Sequence, residues 1–491
     1  MSIREQSIFL TIGNVFTQGA LMVQSIILAR ILTSADFGSF RQILLITALS
    51  YAFWYLSLPE SSSYFLARLS PDDRKKFAFQ TTISLIILGI LASASIVILR
   101  TSIAKLFDNA ELADQLWPAA FIPIGMMLSV FLTISLVSVG RAKLSSLISV
   151  INALITVISI CLPLYLGVNL QQALRWYSAA FVGMGIIAFF LLWIHIGFKP
   201  NLDRKLLGDT LNFSLPYWLG YFIFFAYSQG HRFLVSCFFS PNDFAMFSVG
   251  ATELPIMGQL SIFISLVLVP VCAKEWQAGN YGEISRLLQR SAQKISLVVL
   301  PVFMIIIFSP KQILTLLFGS RYGGAWPIFV VTSCLMLLKI CEIQSLFKII
   351  GKTRPIILLS LVALIVGIAS GWALMYPFGI VGPAVGVLLG RIVQIYLSIL
   401  YLKKDLPITV GTLFALSTSW KVALVAFISC VIGKLLTFPI NSISVYLAVN
   451  VCITGAVFCF IAMKFELIDV EDKILVKRWI TLKPFYESRA K

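Results

Sequence analysis

Apolar runs of about 20 residues, each closed by a short basic or glycine-bearing turn, recur from one end of the chain to the other. They fall at 7–29, 42–66, 78–99, 117–139, 145–167, 174–197, 213–238, 244–272, 295–309, 325–347, 356–376, 379–402, 413–434 and 440–463. At 1.5 Å rise per residue, about 20 residues cross a hydrocarbon layer about 30 Å thick, so each run reads as a transmembrane helix. The pattern predicts an all-α polytopic membrane protein of about fourteen transmembrane helices. The polar leader M-S-I-R-E-Q enters the first run with no small-residue cleavage site, so that span reads as part of the mature protein. Pro59, Pro255, Pro270, Pro301 and Pro383 interrupt runs, as in helices that bend or break inside a bundle.

The runs are written twice. Ile31–Phe40 (I-L-T-S-A-D-F-G-S-F) returns at Phe238–Phe247 (F-F-S-P-N-D-F-A-M-F), aligning Asp36 with Asp243, Phe37 with Phe244 and Phe40 with Phe247. Leu106-Phe107 and Trp117-Pro118 return as Leu317-Phe318 and Trp326-Pro327, and the turns starting at Gly140 and Gly351 are both basic. Self-similarity at a fixed period marks an internal repeat. The expected division is an N-terminal six-helix lobe over 1–200, a C-terminal six-helix lobe over 201–408, and two additional helices with a basic tail over 409–491. An even number of helices per repeat gives both lobes the same orientation, so the expected relation is a rotation about an axis near the membrane normal.

Composition agrees with the solvent implied by the runs: 59% hydrophobic residues, 12% charged residues and a mean hydropathy of +0.94 leave too little polar surface for a water-soluble globule. The net charge of +17 belongs to the turns and not to a nucleic-acid surface. Alternate connections carry 26 and 8 Lys and Arg, with four more inside the runs. The basic side faces the cytoplasm, which places both termini there. Segments 200–212 and 281–295 pattern as amphipathic basic helices suited to an anionic leaflet. The eight cysteines lie in apolar runs without metal-binding or redox spacing and read as packing residues, and no metal or cofactor is expected. There is no Walker sequence, no dinucleotide fingerprint and no acid/base pair in a sizeable outer domain, so the chain reads as a non-enzyme.

Chemistry then rests on charge inside the bilayer, which costs about 2.5–3.5 kcal/mol per residue on insertion scales and is kept for cavities and partners. The cationic candidates are Arg30, Arg232, Lys339 and Arg391; the acidic ones, candidates for ion coupling, are Glu60, Glu253 and Glu342. Lys339 and Glu342 are spaced to pair on one helical face. Arg232 and Arg391 have no acid within a turn. Asn14, Gln18 and Gln24 of the first run suit either a cavity wall or bonding between helices.

The stretch A-R-I-L-T-S-A-D-F-G-S-F, its second copy after His231-Arg232, and L-F-G-S-R-Y-G-G-A-W-P-I before a span resemble the polysaccharide transporters of the multidrug/oligosaccharidyl-lipid/polysaccharide (MOP) superfamily, and most of all Wzx-type O-antigen flippases. The resemblance runs over essentially the whole chain. It implies a MATE-like pair of bundles in the bacterial inner membrane, with an undecaprenyl-pyrophosphate-linked oligosaccharide moved from the cytoplasmic to the periplasmic leaflet by alternating access. Membrane lipids, a proton or sodium ion, and a polysaccharide polymerase with its chain-length regulator are the partners it implies; nucleic acid is not one. His231 stands where members often carry an acid, and Ala245 where the first copy has Gly38; these are two departures from the family pattern. Two alternatives stay open: a flippase for a lipid-linked cell-wall precursor, and a drug or metabolite exporter of the same fold, for whose cationic substrates central arginines would be unhelpful.

Overall fold

The computed structural model describes residues 3–253, 268–341, 343–352, 354–438, 440, 442–465 and 467, with side chains from Phe9 onward. Every regular element among them is helical. In order these are α1 (Ile3–Ile31), α2 (Ser34–Trp54), α3 (Leu58–Arg68), α4 (Pro71–Leu106), α5 (Leu112–Ala119), α6 (Ile122–Ser138), α7 (Ala142–Tyr165), α8 (Leu170–His195), α9 (Arg204–Phe238) and α10 (Pro241–Gly250). They continue with α11 (Tyr281–Phe308), α12 (Pro310–Phe318), α13 (Trp326–Leu338), α14 (Ile343–Ile349), α15 (Arg354–Phe378), α16 (Gly382–Leu402), α17 (Val410–Leu413), α18 (Leu416–Thr437) and α19 (Ile443–Lys464).

Ten helical stretches among the described residues are long and apolar enough to cross a membrane, or eleven if the bent pair α2–α3 forms one span. The count differs from fourteen at three further places. Arg354–Leu402 is one continuous apolar stretch in that count but contains two helices, α15 and α16, joined by a 3-10 turn at Gly379–Val381. Helix α9 is long enough, yet Tyr217, Trp218, Tyr221, Tyr227, Gln229, His231 and Arg232 interrupt its apolar side chains, and it is not among the ten. Residues 254–267 of the expected run 244–272, Pro255 included, lie outside the described residues, as does Glu342.

Helix boundaries follow side-chain capping. Thr33 accepts from the Asp36 amide at 3.1 Å and donates to the Asp36 carboxylate at 2.6 Å. Ser240 does the same with Asp243, at 3.2 and 2.7 Å. A residue in extended backbone, an oxygen on its side chain and an acid three positions on satisfy the first free amides and complement the helix dipole. The other echoed positions also match. Phe37 and Phe244, Phe40 and Phe247, and Phe107 and Phe318 are all fully buried, whereas Trp117 and Trp326 are 47% and 46% exposed. Gly140 and Gly351 both end their helices with positive φ, 80° and 71°, a conformation that favours glycine.

The helices gather into two compact units. The first comprises Met1–Gln259, Leu317–Thr332 and Thr353–Leu397. Within it α1 packs on α7, α6 on α8, α2 on α10 and α9, and α9 on α15. Tyr55, Leu58, Phe77, Met127 and Phe131 form one buried cluster; Leu45, Val235, Phe244, Phe247 and Ile328 form another. The second unit comprises Leu260–Leu316, Ser333–Lys352 and Ser398–Lys491. There α11 packs on α18 and α18 on α19, Gln293 donates to Thr418 at 2.9 Å, and Lys352 grips Asp405 at 2.8 Å. These units are defined by packing and the lobes by sequence repetition, so the boundaries at 200 and 408 stay an expectation about the repeat.

Candidate functional site

Helices α2 and α9 lie against one another within the first unit, each bringing an arginine to the same region. With Thr33 as cap, Arg41 falls two turns into α2 and is half-buried there, within electrostatic reach of Arg232. Arg232 is also half-buried. Its Nη1 donates to Gln229 Oε1 at 3.1 Å and its Nη2 reaches the Ala251 carbonyl at 3.4 Å. Its Nε is buried with no hydrogen-bond partner among the described residues. Two guanidiniums brought together inside a helical bundle repel each other, so the arrangement gains from an anion between or beside them.

One carboxylate is supplied. Glu253, just beyond α10, acts electrostatically on Arg232 and on the Tyr227 phenol, which also feels Arg391. Arg391, on α16, donates to Gln394 Oε1 at 2.6 Å, and Gln394 Nε2 passes a hydrogen bond to Ser360 on α15 at 3.1 Å. Tyr227 bridges the two regions from α9, its hydroxyl 3.4 Å from the Val387 carbonyl of α16. Arg41, Arg232, Glu253 and Arg391 thus belong to one polar track in the first unit. Among the described residues, three guanidiniums against one carboxylate leave the track positive.

The other expected residues take separate places. Arg30 is exposed, and its Nε donates to the Leu317 carbonyl at 3.0 Å. Arg321 answers with bonds to the carbonyls of Leu32, at 2.7 Å, and Arg30, at 3.4 Å, so this pair closes helix ends. Lys339 belongs to the second unit and sits in a turn between α13 and α14, not on a continuous helix; its expected partner Glu342 is outside the described residues. Glu60 starts α3 and accepts the Tyr55 hydroxyl at 2.8 Å. His231 packs its ring against Phe247, centroids 5.6 Å apart. Gln24 is buried and donates to the Thr156 carbonyl at 3.3 Å, one of several bonds fastening α1 to α7.

Sequence reasoning missed one member of the track, and for a second, the candidate acid Glu253, it missed the neighbour. Arg41 reads as part of an outer connection because it follows a polar turn; the cap at Thr33 is the signal that moves it into the helix. Glu253 is 21 residues beyond Arg232, and only the fold brings it near.

Residues 27–327 match the family described as Polysaccharide biosynthesis protein. No curated protein matches the chain. Among solved structures the chain is similar to the lipid II flippase MurJ in an inward closed conformation, with a TM-score of 0.68 at 11% identity, covering 93% of this chain and 99% of that one. It is also similar to a multidrug resistance MATE family transporter of the MOP superfamily in an inward-facing conformation, with a TM-score of 0.62 at 13% identity over 79% of this chain and 94% of that one. A MOP superfamily transporter from Pyrococcus furiosus gives 0.54 at 14% identity, over 81% and 95%. At such identities the likeness establishes the fold alone, the one these solved structures share.

Proposed function

We propose, from the premise that the chain belongs to the polysaccharide biosynthesis protein family, that it is a flippase for an oligosaccharide linked to a polyprenyl pyrophosphate such as undecaprenyl pyrophosphate. The observation that carries this reading is the track of Arg41, Arg232 and Arg391, with Glu253 the one acid beside it among the described residues. A pyrophosphate leaving water for a helical bundle needs fixed positive partners. Arginine suits the task because it stays protonated and presents a planar fork to phosphate oxygens. Glu253 serves as a stand-in anion for Arg232 when the site is empty and yields to the incoming pyrophosphate. The sugar travels in the wet interior while the lipid tail stays in the bilayer, and exposure alternates between cytoplasmic and periplasmic faces of the inner membrane. The excess of basic residues in one set of connections supports cytoplasmic termini.

The positive track disfavours the reading as an exporter of cationic drugs, since like charge repels them. A lipid-linked cell-wall precursor carries the same pyrophosphate and is separated from an O-antigen or capsule unit by its sugar alone. The deciding experiment reconstitutes the purified chain in liposomes and compares two cargoes. A fluorescent undecaprenyl-pyrophosphate glycolipid should become accessible to external quencher or lectin faster than in empty liposomes, while a cationic dye should not cross. Dye transport without glycolipid movement contradicts the proposal.

A further inference from the structure

The α2–α9 pair carries a second polar region at the end away from the arginines. Trp218 lies fourteen residues before Arg232 on α9, and Tyr55 fourteen residues after Arg41 on α2. Each interval spans about 21 Å at 1.5 Å per residue. The two helices run antiparallel, because the Trp218 indole donates to the Ala52 carbonyl at 3.0 Å while Arg41 and Arg232 approach each other at the opposite end.

This second region is made of aromatic rings around one carboxylate. The rings of Tyr51 and Tyr55 lie 4.6 Å apart, Tyr221 lies 6.0 Å from Tyr55, and the Glu60 carboxylate acts electrostatically on Tyr217 and Tyr221 across from it. One Glu60 oxygen accepts from Tyr55 at 2.8 Å; the other has no hydrogen-bond partner among the described residues. Tyr217 is 56% exposed. The backbone is distorted to build this arrangement. Leu56 and Ser57 both adopt left-handed φ, 46° and 48°, although neither is glycine, and α2 and α3 meet at 44°. Such residues are strained and persist only where surrounding structure enforces them. A belt of interfacial anchors accounts for Trp and Tyr. It does not account for a carboxylate among them or for a strained break that sets it there.

We propose that Tyr217, Trp218 and Glu60 form a sugar subsite, separate from the arginines that take the phosphates. Aromatic faces receive the C–H face of a pyranose ring, their polar edges share its hydroxyls, and a carboxylate accepts hydrogen bonds from ring hydroxyls more strongly than a neutral group does. The interval along α2 and α9 fits an extended oligosaccharide whose pyrophosphate end lies at Arg41 and Arg232. This subsite rests on the lipid-linked oligosaccharide reading above and adds where the glycan is held.

Two probes separate the levels: undecaprenyl pyrophosphate without sugar, and the lipid-linked oligosaccharide extracted from cells deprived of this chain. Binding to the purified full chain is followed by thermal shift. Trp218→Ala and Glu60→Gln should keep affinity for the sugar-free lipid within about twofold and lose about tenfold for the sugar-bearing one, the weight of roughly one charge-assisted hydrogen bond. Trp218→Phe should retain most of the sugar increment, because it keeps a stacking face while removing the indole bond to Ala52. Arg232→Ala should weaken both probes. Equal loss of the two probes in Trp218→Ala and Glu60→Gln, or no loss of either, overturns the subsite and leaves the flippase reading intact. A wild-type chain that binds neither probe overturns both.

Discussion

The α-carbon of Gly38, near the start of α2, lies so close to the backbone of Pro241, the first residue of α10, that no β-carbon fits between them. The first copy of the repeated stretch therefore packs directly on the second. The position matching Gly38 in the second copy is Ala245, which is fully buried, so the contact is not symmetric and only one of the two sites demands glycine. Gly38→Ala should lower stability by roughly 1–3 kcal/mol, the cost of overpacking a close backbone contact. Thermal unfolding in detergent measures it, with Gly19→Ala as control because nothing lies within 4 Å of a β-carbon there. Equal midpoints for the two variants would mean that α2 and α10 do not meet as described.

The matched caps make a second test of the repeat. Thr33→Ala and Ser240→Ala each remove one side-chain oxygen that holds an Asp amide, so each should cost about 1 kcal/mol. A loss at only one of the two sites would separate the copies energetically. At the level of the whole fold, residues 1–200 and 201–408 are expected to superpose by rotation near the membrane normal; inverted halves in an experimental structure would refute this.

A pH dependence follows from another pair of matched positions. Arg141 follows Gly140 and its Nη1 lies 2.8 Å from His195 Nδ1; in the second copy Lys352 follows Gly351 and binds Asp405. Arginine can only donate, so the contact requires an unprotonated Nδ1 and a neutral ring. The bond is present while the ring is neutral and is lost once acidification protonates it. Lys75 against Gly197 and Lys199 bound to Asp72 are the other charged groups beside this helix end. The Lys352–Asp405 pair has no such sensitivity between pH 8 and pH 5.5, since the bonded carboxylate holds the exposed Lys352 ammonium above its usual range. His195→Asp should abolish the part of the melting temperature that falls on acidification from pH 8 to pH 5.5. An unchanged pH profile would remove this role from His195.

Orientation is open to a direct check. Reporter fusions at Lys143 and Lys403 should give cytoplasmic signals, and fusions near Asn109 and Ser320 periplasmic ones. Reversed signals would invert the direction of transport proposed here.

Much of this was legible because apolar length and capping are local. The runs marked the helices, Pro59 announced the break that the structure places at Leu56–Ser57, and the Asp-Phe echo reflected caps and buried rings that recur in both copies. Long-range placement was not legible. Arg30 and Arg232 occupy comparable places before their repeated stretches, yet Arg30 closes a helix end on Leu317 while Arg232 joins Arg41. Hydrophobic patterning specifies how a helix sits in the bilayer and leaves open which of its charges find partners on distant helices. Glu60 stood out as an intramembrane acid, but the four tyrosines near it, Tyr51, Tyr55, Tyr217 and Tyr221, come from two helices that only the fold brings together.

The central claim is that Arg41, Arg232 and Arg391 hold the anionic head of the cargo, and surface-polysaccharide export in cells carrying single variants at matched membrane abundance tests it most directly. Removing a charge-assisted hydrogen-bond donor should cost about 1.5–3 kcal/mol of cargo binding while also relieving the insertion penalty, so Ala variants should reach the membrane and export poorly. Lysine at the same positions should restore part of the export, because it supplies charge without the bidentate fork. Wild-type export from all three Ala variants would contradict the account.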